Sequence, residues 1–197
     1  MSPNPFEVID FWFGSPASPE RGRARKAWFV KDPQFDAEIE RRFLELHRAA
    51  RSGACADWEA TPLSALALAV TLDQFPRNLF RGSAETFAAD TRALALARRI
   101  VETGFDRLLR PVERVFAYLP FEHSEELAAQ RRSVALFRAL AGEQGEHQAL
   151  LGGYLDYALR HFDIVARFGR FPHRNAVLGR PSTPEEIAFL ALPGSSF

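Results

Sequence analysis

The sequence predicts an all-α fold, a compact antiparallel array of helix hairpins with about nine helices. Apolar residues recur with the 3.6-residue period of amphipathic helices, between regularly placed prolines and glycines. No stretch shows the sustained alternation of a strand bounded by hairpin turns. The connections between the predicted helices are mostly short, which favours antiparallel neighbours. We therefore expect residues 1–197 to form a single all-helical domain.

The helix starts and stops follow from local chemistry. Four N-cap residues precede a proline at a first helical position: Asn4, Asp32, Thr61 and Thr183. The run Thr183-Pro184-Glu185-Glu186 is a capping box, and glycines follow most predicted helix ends. In chain order, the predicted helices span residues 5–13, 21–29, 33–52, 62–75, 84–103, 111–118, 125–141, 147–168 and 184–191.

Charge and composition exclude several classes of protein. The 25 basic residues, of which 23 are Arg, balance 25 acidic residues, whereas a dedicated nucleic-acid binder carries a basic excess. No apolar run approaches the roughly 18 residues of a membrane span, and the N-terminus lacks the basic start of a secretory signal. We therefore expect a cytoplasmic protein with no nucleic-acid or membrane partner. A homodimer is possible.

The usual catalytic and metal-binding motifs are absent from the sequence. It contains no HExxH, no ExxH of di-iron bundles, no GxSxG, no Walker A and no GxGxxG. The single cysteine, Cys55, has no histidine near it in sequence and can form no disulfide within the chain. We therefore expect no metal and no cofactor.

The first polar cluster lies at a predicted helix end. It comprises Asp73, Gln74, Arg77, Asn78 and Arg81. Because proline disrupts a helix interior, we expect Pro76 to end the helix and turn the chain. The cluster is then either turn and cap chemistry or part of a ligand site.

The second polar cluster is the run Glu122-His123-Ser124-Glu125-Glu126. Ser124 is a good N-cap, and Glu125 and Glu126 complement the helix dipole in a first turn. A plain helix start explains these three residues. A helix start does not explain His123, because a cap does not need a histidine.

The third polar cluster is rich in arginine. It comprises Arg167, Arg170, His173, Arg174 and Asn175, interleaved with phenylalanine and preceded by His161. Guanidinium groups bind carboxylates or phosphates bidentately, and aromatic neighbours keep such a site dry. The alternative is a solvated basic turn whose arginines pair with acids of neighbouring helices. His161 is either a core histidine or part of a site.

The first and third clusters share a local pattern. Phe75-Pro76-Arg77-Asn78 is echoed by Phe171-Pro172-His173-Arg174-Asn175, and each run is followed by a glycine and then a Ser or Thr cap. The echo indicates either a duplicated helix–loop–helix unit or coincidence in a chain rich in phenylalanine and arginine.

Three long runs resemble the hallmarks of the bacterial domain-of-unknown-function family 924. They are Leu72-Asp73-Gln74-Phe75-Pro76-Arg77-Asn78-Leu79-Phe80-Arg81-Gly82, Tyr118-Leu119-Pro120-Phe121-Glu122-His123-Ser124-Glu125 and Arg167-Phe168-Gly169-Arg170-Phe171-Pro172-His173-Arg174-Asn175. Glu122 departs from the pattern, which has an apolar Met there. The resemblance implies an all-helical, tetratricopeptide-like fold and no settled activity.

Three functions are compatible with these clusters. The favoured one is binding of a small phosphate- or carboxylate-bearing molecule in a pocket lined by Arg, His and Asn, with Trp12, Phe75 and Phe171 as walls. The second is an enzyme at the same site, in which His123, His161 or His173 is a general acid or base oriented by Glu125 or Asp73. The third is a tetratricopeptide-like scaffold that binds a peptide.

The C-terminus carries a smaller prediction. Phe197 is aromatic and terminal and follows Gly194-Ser195-Ser196. We expect its ring to dock in an apolar slot and its carboxylate to pair with an arginine, although a frayed end is the alternative.

Overall fold

A computed structural model describes residues 4–143 and 148–195, and within these residues the chain contains no β-strand. The α-helices are α1 Pro5–Phe13, α2 Pro33–Ser52, α3 Pro62–Ala69, α4 Phe75–Leu79, α5 Asp90–Glu102, α6 Pro111–Glu122, α7 Leu127–Ala141, α8 Gln148–Phe168 and α9 Pro184–Leu190. Short 3-10 turns lie at Lys26–Trp28, Ala56–Ala60, Ala84–Phe87, Phe105–Leu108 and Pro172–Arg174. The predicted all-α class is confirmed. The docking predicted for Phe197 lies outside the described residues.

The predicted helix starts are confirmed at all four N-caps. The side chains of Asn4, Asp32, Thr61 and Thr183 each accept a hydrogen bond from a backbone N–H in the first turn of the helix that follows. The capping box of α9 is also present, because Glu186 accepts from the backbone N–H of Thr183 at 2.7 Å. Each bond satisfies a donor that a helix start otherwise leaves unpaired.

The helix predicted over residues 21–29 is wrong. Turns replace it, and only Lys26–Trp28 is helical. Gly22 adopts a φ of 84°, which breaks a right-handed helix. Arg21 donates to the carbonyl of Gly14 and Arg25 to the carbonyls of Phe11 and Trp12, so the segment caps the end of α1. The arginines of this segment therefore bind the end of a neighbouring helix instead of forming a helix of their own.

Two further predicted boundaries need correction. The helix predicted over 84–103 is divided into the turn Ala84–Phe87 and α5. This interruption makes Asp90 the first residue of α5, where its carboxylate faces neighbouring elements. The helix predicted to end at 118 continues to Glu122 as α6, with Pro120 inside it.

The expectation that Pro76 ends a helix is also wrong. A π-helical segment, Val70–Gln74, joins α3 to α4, and Pro76 lies in the first turn of α4. In a π-helix each backbone N–H donates to the carbonyl five residues earlier, as Phe75 does to Val70. By the same pattern, the carbonyl of Thr71 would accept from the backbone N–H of residue 76. Proline has no N–H, and Nδ1 of His47 instead donates to the Thr71 carbonyl at 2.9 Å.

The core is dominated by aromatic rings. Trp12 packs edge-on against Phe75 and Phe116, each with ring centroids 5.7 Å apart, and Phe43 stacks on Phe75 at 4.8 Å. Helices α1, α2, α4 and α6 contribute these rings, and α7 packs extensively against α8. Within the described residues, no helix is long and apolar enough to cross a membrane. The tetratricopeptide-like arrangement stays a prediction.

Candidate functional site

A buried carboxylate–histidine pair lies where the π segment meets the end of α6. Nδ1 of His123 is 2.8 Å from Oδ1 and 3.0 Å from Oδ2 of Asp73, whose side chain is 1% exposed. The amide of Gln74 also donates to Oδ2 of Asp73, at 2.6 Å. π-helical segments are common at functional sites, and here the segment supplies both Asp73 and Gln74.

The charge states of this pair follow from its surroundings. Burial disfavours a charged Asp73, but the charge of Arg77 and the hydrogen bond from His123 outweigh burial and lower the pKa of Asp73 below its usual value. Burial and the charge of Arg77 lower the pKa of His123, against the opposing effect of Asp73. At neutral pH the pair is therefore a carboxylate and a neutral imidazole, with the ring proton on Nδ1.

Two arginines from different polar clusters meet at one carboxylate. Arg77 donates to Oδ1 of Asp90 from both terminal nitrogens at 3.2 Å, and NH1 of Arg174 is 3.4 Å from Oδ2 of Asp90. We call this arrangement the Arg77–Asp90–Arg174 bridge. Arg77 also lies 3.4 Å from Oδ1 of Asp73, which connects the bridge to His123. The two similar runs of the sequence, residues 75–78 and 171–175, therefore converge in space.

Arg174 is buried with few hydrogen bonds. The residue is 7% exposed, and within the described residues its Nε atom is buried and has no hydrogen-bond partner. The rings of Phe87 and Phe171 lie against the guanidinium, with centroids 4.4 and 4.5 Å from its central carbon. Burial, followed by the charge of Arg77, lowers the pKa of Arg174 to about 10.

A second acid–histidine pair lies beside the first. Oε1 of Glu122, a residue 4% exposed, is 3.3 Å from Nδ1 of His161. Burial and the charge of Asp73 raise the pKa of Glu122 to about 8, so this acid is protonated at neutral pH. Nδ1 of His161 donates to the carbonyl of Tyr157 at 2.9 Å, and burial lowers the pKa of His161 to about 3. The rings of His123 and His161 are 6.2 Å apart.

Glu125 does not belong to the helix in which it was predicted. Helix α7 begins at Leu127, and Ser124 accepts from the backbone N–H of Glu126 in the turn before it. The Glu125 carboxylate instead accepts two hydrogen bonds from Arg180, at 2.7 and 2.9 Å, and one from the backbone of Phe171 at 2.8 Å. Glu125 therefore holds the loop between α8 and α9, which contains Phe171, and does not orient His123.

Five of the predicted ligand-binding residues lie outside the cluster around Asp73, by which we mean the group formed by Asp73, Arg77, Asp90, His123 and Arg174. Asn78 and Arg81 both donate to Asp36. Arg167 pairs with Glu185 at 2.7 Å and Arg170 with Glu186 at 2.6 Å. Asn175 donates to Ser182 and Glu186 and accepts from Arg180. For these residues the alternative of caps and ion pairs describes the observed contacts.

Among the remaining candidates, His173 lies near the cluster and two predicted wall residues do not. The ring of His173 is 5.6 Å from that of Phe171, and burial together with the charge of Arg174 lowers the pKa of His173 to about 4. Phe171 also contacts His161, with ring centroids 5.5 Å apart. Trp12 and Phe75 belong to the central core, so they do not line the site.

Sequence reasoning missed three contributors: Asp90, Phe87 and Arg180. None of them lies within the three polar clusters, and no motif signals a role for them. Asp90 was placed inside a predicted helix, and only the break before α5 turns its carboxylate towards Arg77 and Arg174.

The described surface has shallow pockets away from this cluster. One, of about 360 Å³, is formed by residues between Pro19 and Ala27, and another, of about 330 Å³, lies where α5, α6 and α7 meet. Neither supports the predicted Arg/His/Asn-lined pocket. In the described part of the chain, no group of three or more His, Cys, Asp or Glu side chains is arranged to hold a metal ion.

Comparison with known proteins shows the family. A family model described as "Bacterial protein of unknown function (DUF924)" matches residues 8–194. The structure is similar to that of a protein of unknown function, ATU0120 from Agrobacterium tumefaciens, with 42% identity, a TM-score of 0.80, and coverage of 95% of this chain and 96% of that chain. No curated protein matches the chain. The chain therefore belongs to the DUF924 family of bacterial proteins of unknown function.

Proposed function

We propose that the protein binds a small anionic ligand, bearing a phosphate or a carboxylate, at the Arg77–Asp90–Arg174 bridge. The observation that carries this proposal is the under-bonded guanidinium of Arg174. It is 7% exposed, its Nε lacks a hydrogen-bond partner among the described residues, and its contact with Asp90 is long at 3.4 Å. A buried cation with unused donors gains much from an anion that can accept from it.

Other arginines in the same region are better satisfied. Arg170 makes a bidentate contact with Glu186 and also donates to the carbonyl of Pro181. Arg180 makes a bidentate contact with Glu125. Arg174 shares Asp90 with Arg77, so two guanidinium groups depend on that carboxylate. An added anion would relieve this shortage of acceptors.

The bridge is accessible to a small ligand at one end. The side chains of Arg77 and Asp90 keep 21% and 17% of their surface exposed, whereas Arg174 keeps 8%. An anion therefore enters beside Asp90 and reaches Arg174 by competing with that carboxylate. The neighbouring rings of Phe87 and Phe171 exclude water from the inner end, which strengthens the ion pair.

Calorimetric titration with inorganic phosphate and with citrate tests the proposal. Arg174→Met keeps an unbranched apolar chain between the rings and removes the guanidinium, and it should weaken binding of at least one probe about tenfold or more. The matched control is Arg167→Ala, since Arg167 is exposed and pairs with Glu185; it should bind as the wild type does. The proposal fails if the wild type binds neither probe, or if Arg174→Met binds both with unchanged affinity.

A second candidate function is an enzyme that acts on the ligand through His123. The contact between His123 and Asp73 favours it, because a carboxylate that holds Nδ1–H orients the ring and leaves Nε2 unprotonated. Asp73, and not Glu125, is the orienting acid in this case.

A further inference from the structure

The Nε2 atom of His123 has the properties of a nucleophile. Its ring proton is on Nδ1, where Asp73 accepts it, so Nε2 carries a lone pair. Within the described residues Nε2 makes no hydrogen bond, and the His123 side chain keeps 15% of its surface exposed. A neutral, oriented imidazole with an accessible lone pair attacks electrophilic centres readily.

His47 and His161 differ from His123 in exposure and in the group that their Nδ1 contacts. His47 is 1% exposed, and its Nδ1 donates to a backbone carbonyl that Pro76 leaves without a donor. His161 is 5% exposed, and its Nδ1 also donates to a backbone carbonyl. The acid 3.3 Å from His161 is Glu122, which is protonated at neutral pH, whereas the acid beside His123 is an ionised Asp73.

The guanidinium of Arg77 lies beside the Asp73–His123 pair and carries the positive charge that a phosphoryl group needs. NH1 of Arg77 and Nδ1 of His123 both contact Oδ1 of Asp73, at 3.4 and 2.8 Å, so the guanidinium and the imidazole are close neighbours. Arg77 continues through Asp90 to Arg174. Guanidinium groups stabilise the charge on the oxygens of a phosphoryl group during its transfer.

We propose that Nε2 of His123 accepts a phosphoryl group from a small phosphorylated molecule bound at the Arg77–Asp90–Arg174 bridge. The inference rests on the proposed function, because the bridge must first hold the donor. Transfer needs a donor that carries its own good leaving group, such as an acyl phosphate. Asp73 is a positioning residue in this reaction, and His123 is the catalytic residue.

The two steps balance without a further reactant except water. In the first, the Nε2 lone pair forms a bond to phosphorus while the phosphorus–oxygen bond of the acyl phosphate breaks. The carboxylate of the donor molecule leaves with that electron pair. The phosphorylated imidazole keeps its proton on Nδ1 and is a cation, which the Asp73 carboxylate stabilises. In the second, water attacks phosphorus, the nitrogen–phosphorus bond breaks, its electron pair returns to Nε2, and inorganic phosphate and a proton are released.

Acetyl phosphate is the probe that tests the inference. The full-length protein is incubated with it at neutral pH, and the modified residue is located by mass spectrometry of peptides prepared without acid, because phosphohistidine is labile to acid. We expect one phosphoryl group on His123 of the wild type and of Arg167→Ala, and none at that position in His123→Asn. Asp73→Asn should slow the transfer on the order of a hundredfold.

The readouts separate this inference from the proposed function. If inorganic phosphate binds in an Arg174-dependent manner but acetyl phosphate never modifies His123, the inference is overturned and the proposed function stands. If phosphate and citrate do not bind, the proposed function fails and the inference with it. Modification of another residue in place of His123 also overturns the inference.

The Asp73→Asn variant tests the positioning role of Asp73. NMR of the His123 ring should show loss of the Nδ1-protonated form, which a purely structural role would leave intact. Circular dichroism checks that the variants fold.

Discussion

Nδ1 of His123 lies 2.8 Å from Oδ1 of Asp73, although 50 residues separate them in the chain. Their contact joins the π segment between α3 and α4 to the end of α6. Asp73 is the more deeply buried partner, and Arg77 lies 3.4 Å from the same oxygen of its carboxylate. The carboxylate therefore fixes the histidine tautomer and also anchors the Arg77–Asp90–Arg174 bridge.

Asp90 should act as a competitor of the ligand. It is the carboxylate that Arg77 and Arg174 share, so Asp90→Asn leaves both guanidinium groups short of an anion. We expect this variant to bind inorganic phosphate about tenfold more tightly in calorimetry than the wild type does. Asp36→Asn is the matched control, because Asp36 pairs with Arg81 outside the cluster, and its affinity should be unchanged. Unchanged or weaker binding by Asp90→Asn would contradict the competition.

Glu122 should make the folded protein less stable as the pH rises above neutrality. Its pKa is raised to about 8 by burial and by Asp73, so the folded state holds a proton that the unfolded state has released above about 4.5. The stabilisation that comes from protonating Glu122 in the folded state is therefore fully present below the unfolded pKa of about 4.5. It is lost as the pH rises towards the folded pKa of about 8. The Glu122→Gln variant lacks this titration.

Urea unfolding at pH 6.5 and 8.5 measures the effect. From the lower to the higher pH, the wild type should lose about 2 kcal/mol relative to Glu122→Gln, since a group protonated only in the folded state costs about 1.4 kcal/mol per pH unit. Glu126→Gln, at an exposed position near the start of α7, should keep the wild-type slope. Equal slopes for wild type and Glu122→Gln would show that Glu122 is already ionised at pH 6.5.

His47 should stabilise the fold by replacing the N–H that Pro76 lacks. His47→Phe keeps a ring at this buried position but leaves the carbonyl of Thr71 without its donor, at a cost of about 2 kcal/mol. In a Pro76→Ala background the backbone N–H returns, so the same substitution should cost roughly 1 kcal/mol less. Denaturant unfolding of the two single variants and the double variant measures this coupling. Strictly additive costs would refute the assigned role of His47.

Sequence patterns predicted most helices and their starts, because these depend on the chemistry of neighbouring residues. The bounds of α1 and α2 and the caps at Asn4, Asp32, Thr61 and Thr183 follow from proline, cap residues and helical periodicity. The segment at Arg21 and Arg25 could not be predicted in the same way. Those side chains donate to carbonyls at the end of α1, and these hydrogen bonds between distant residues outweigh the local preference for a helix.

The candidate site was predictable in part. Asp73, His123, Arg77 and Arg174 lie in the polar clusters, where histidine and arginine exceed what a cap or a turn needs. Their convergence depends on how the π segment, α4, the end of α6 and the loop between α8 and α9 pack, which no spacing along the chain encodes. Asp90 illustrates the limit: its position within a predicted helix concealed a carboxylate that two distant arginines share.

The central claim is that Asp73 holds His123 as a neutral imidazole with Nε2 open, and long-range proton–nitrogen NMR of the histidine rings tests it most directly. At pH 7 the wild type should show His123 with its single ring proton on Nδ1, and Asp73→Asn should lose this preference. A His123 ring protonated on Nε2, or on both nitrogens, at pH 7 would contradict the account.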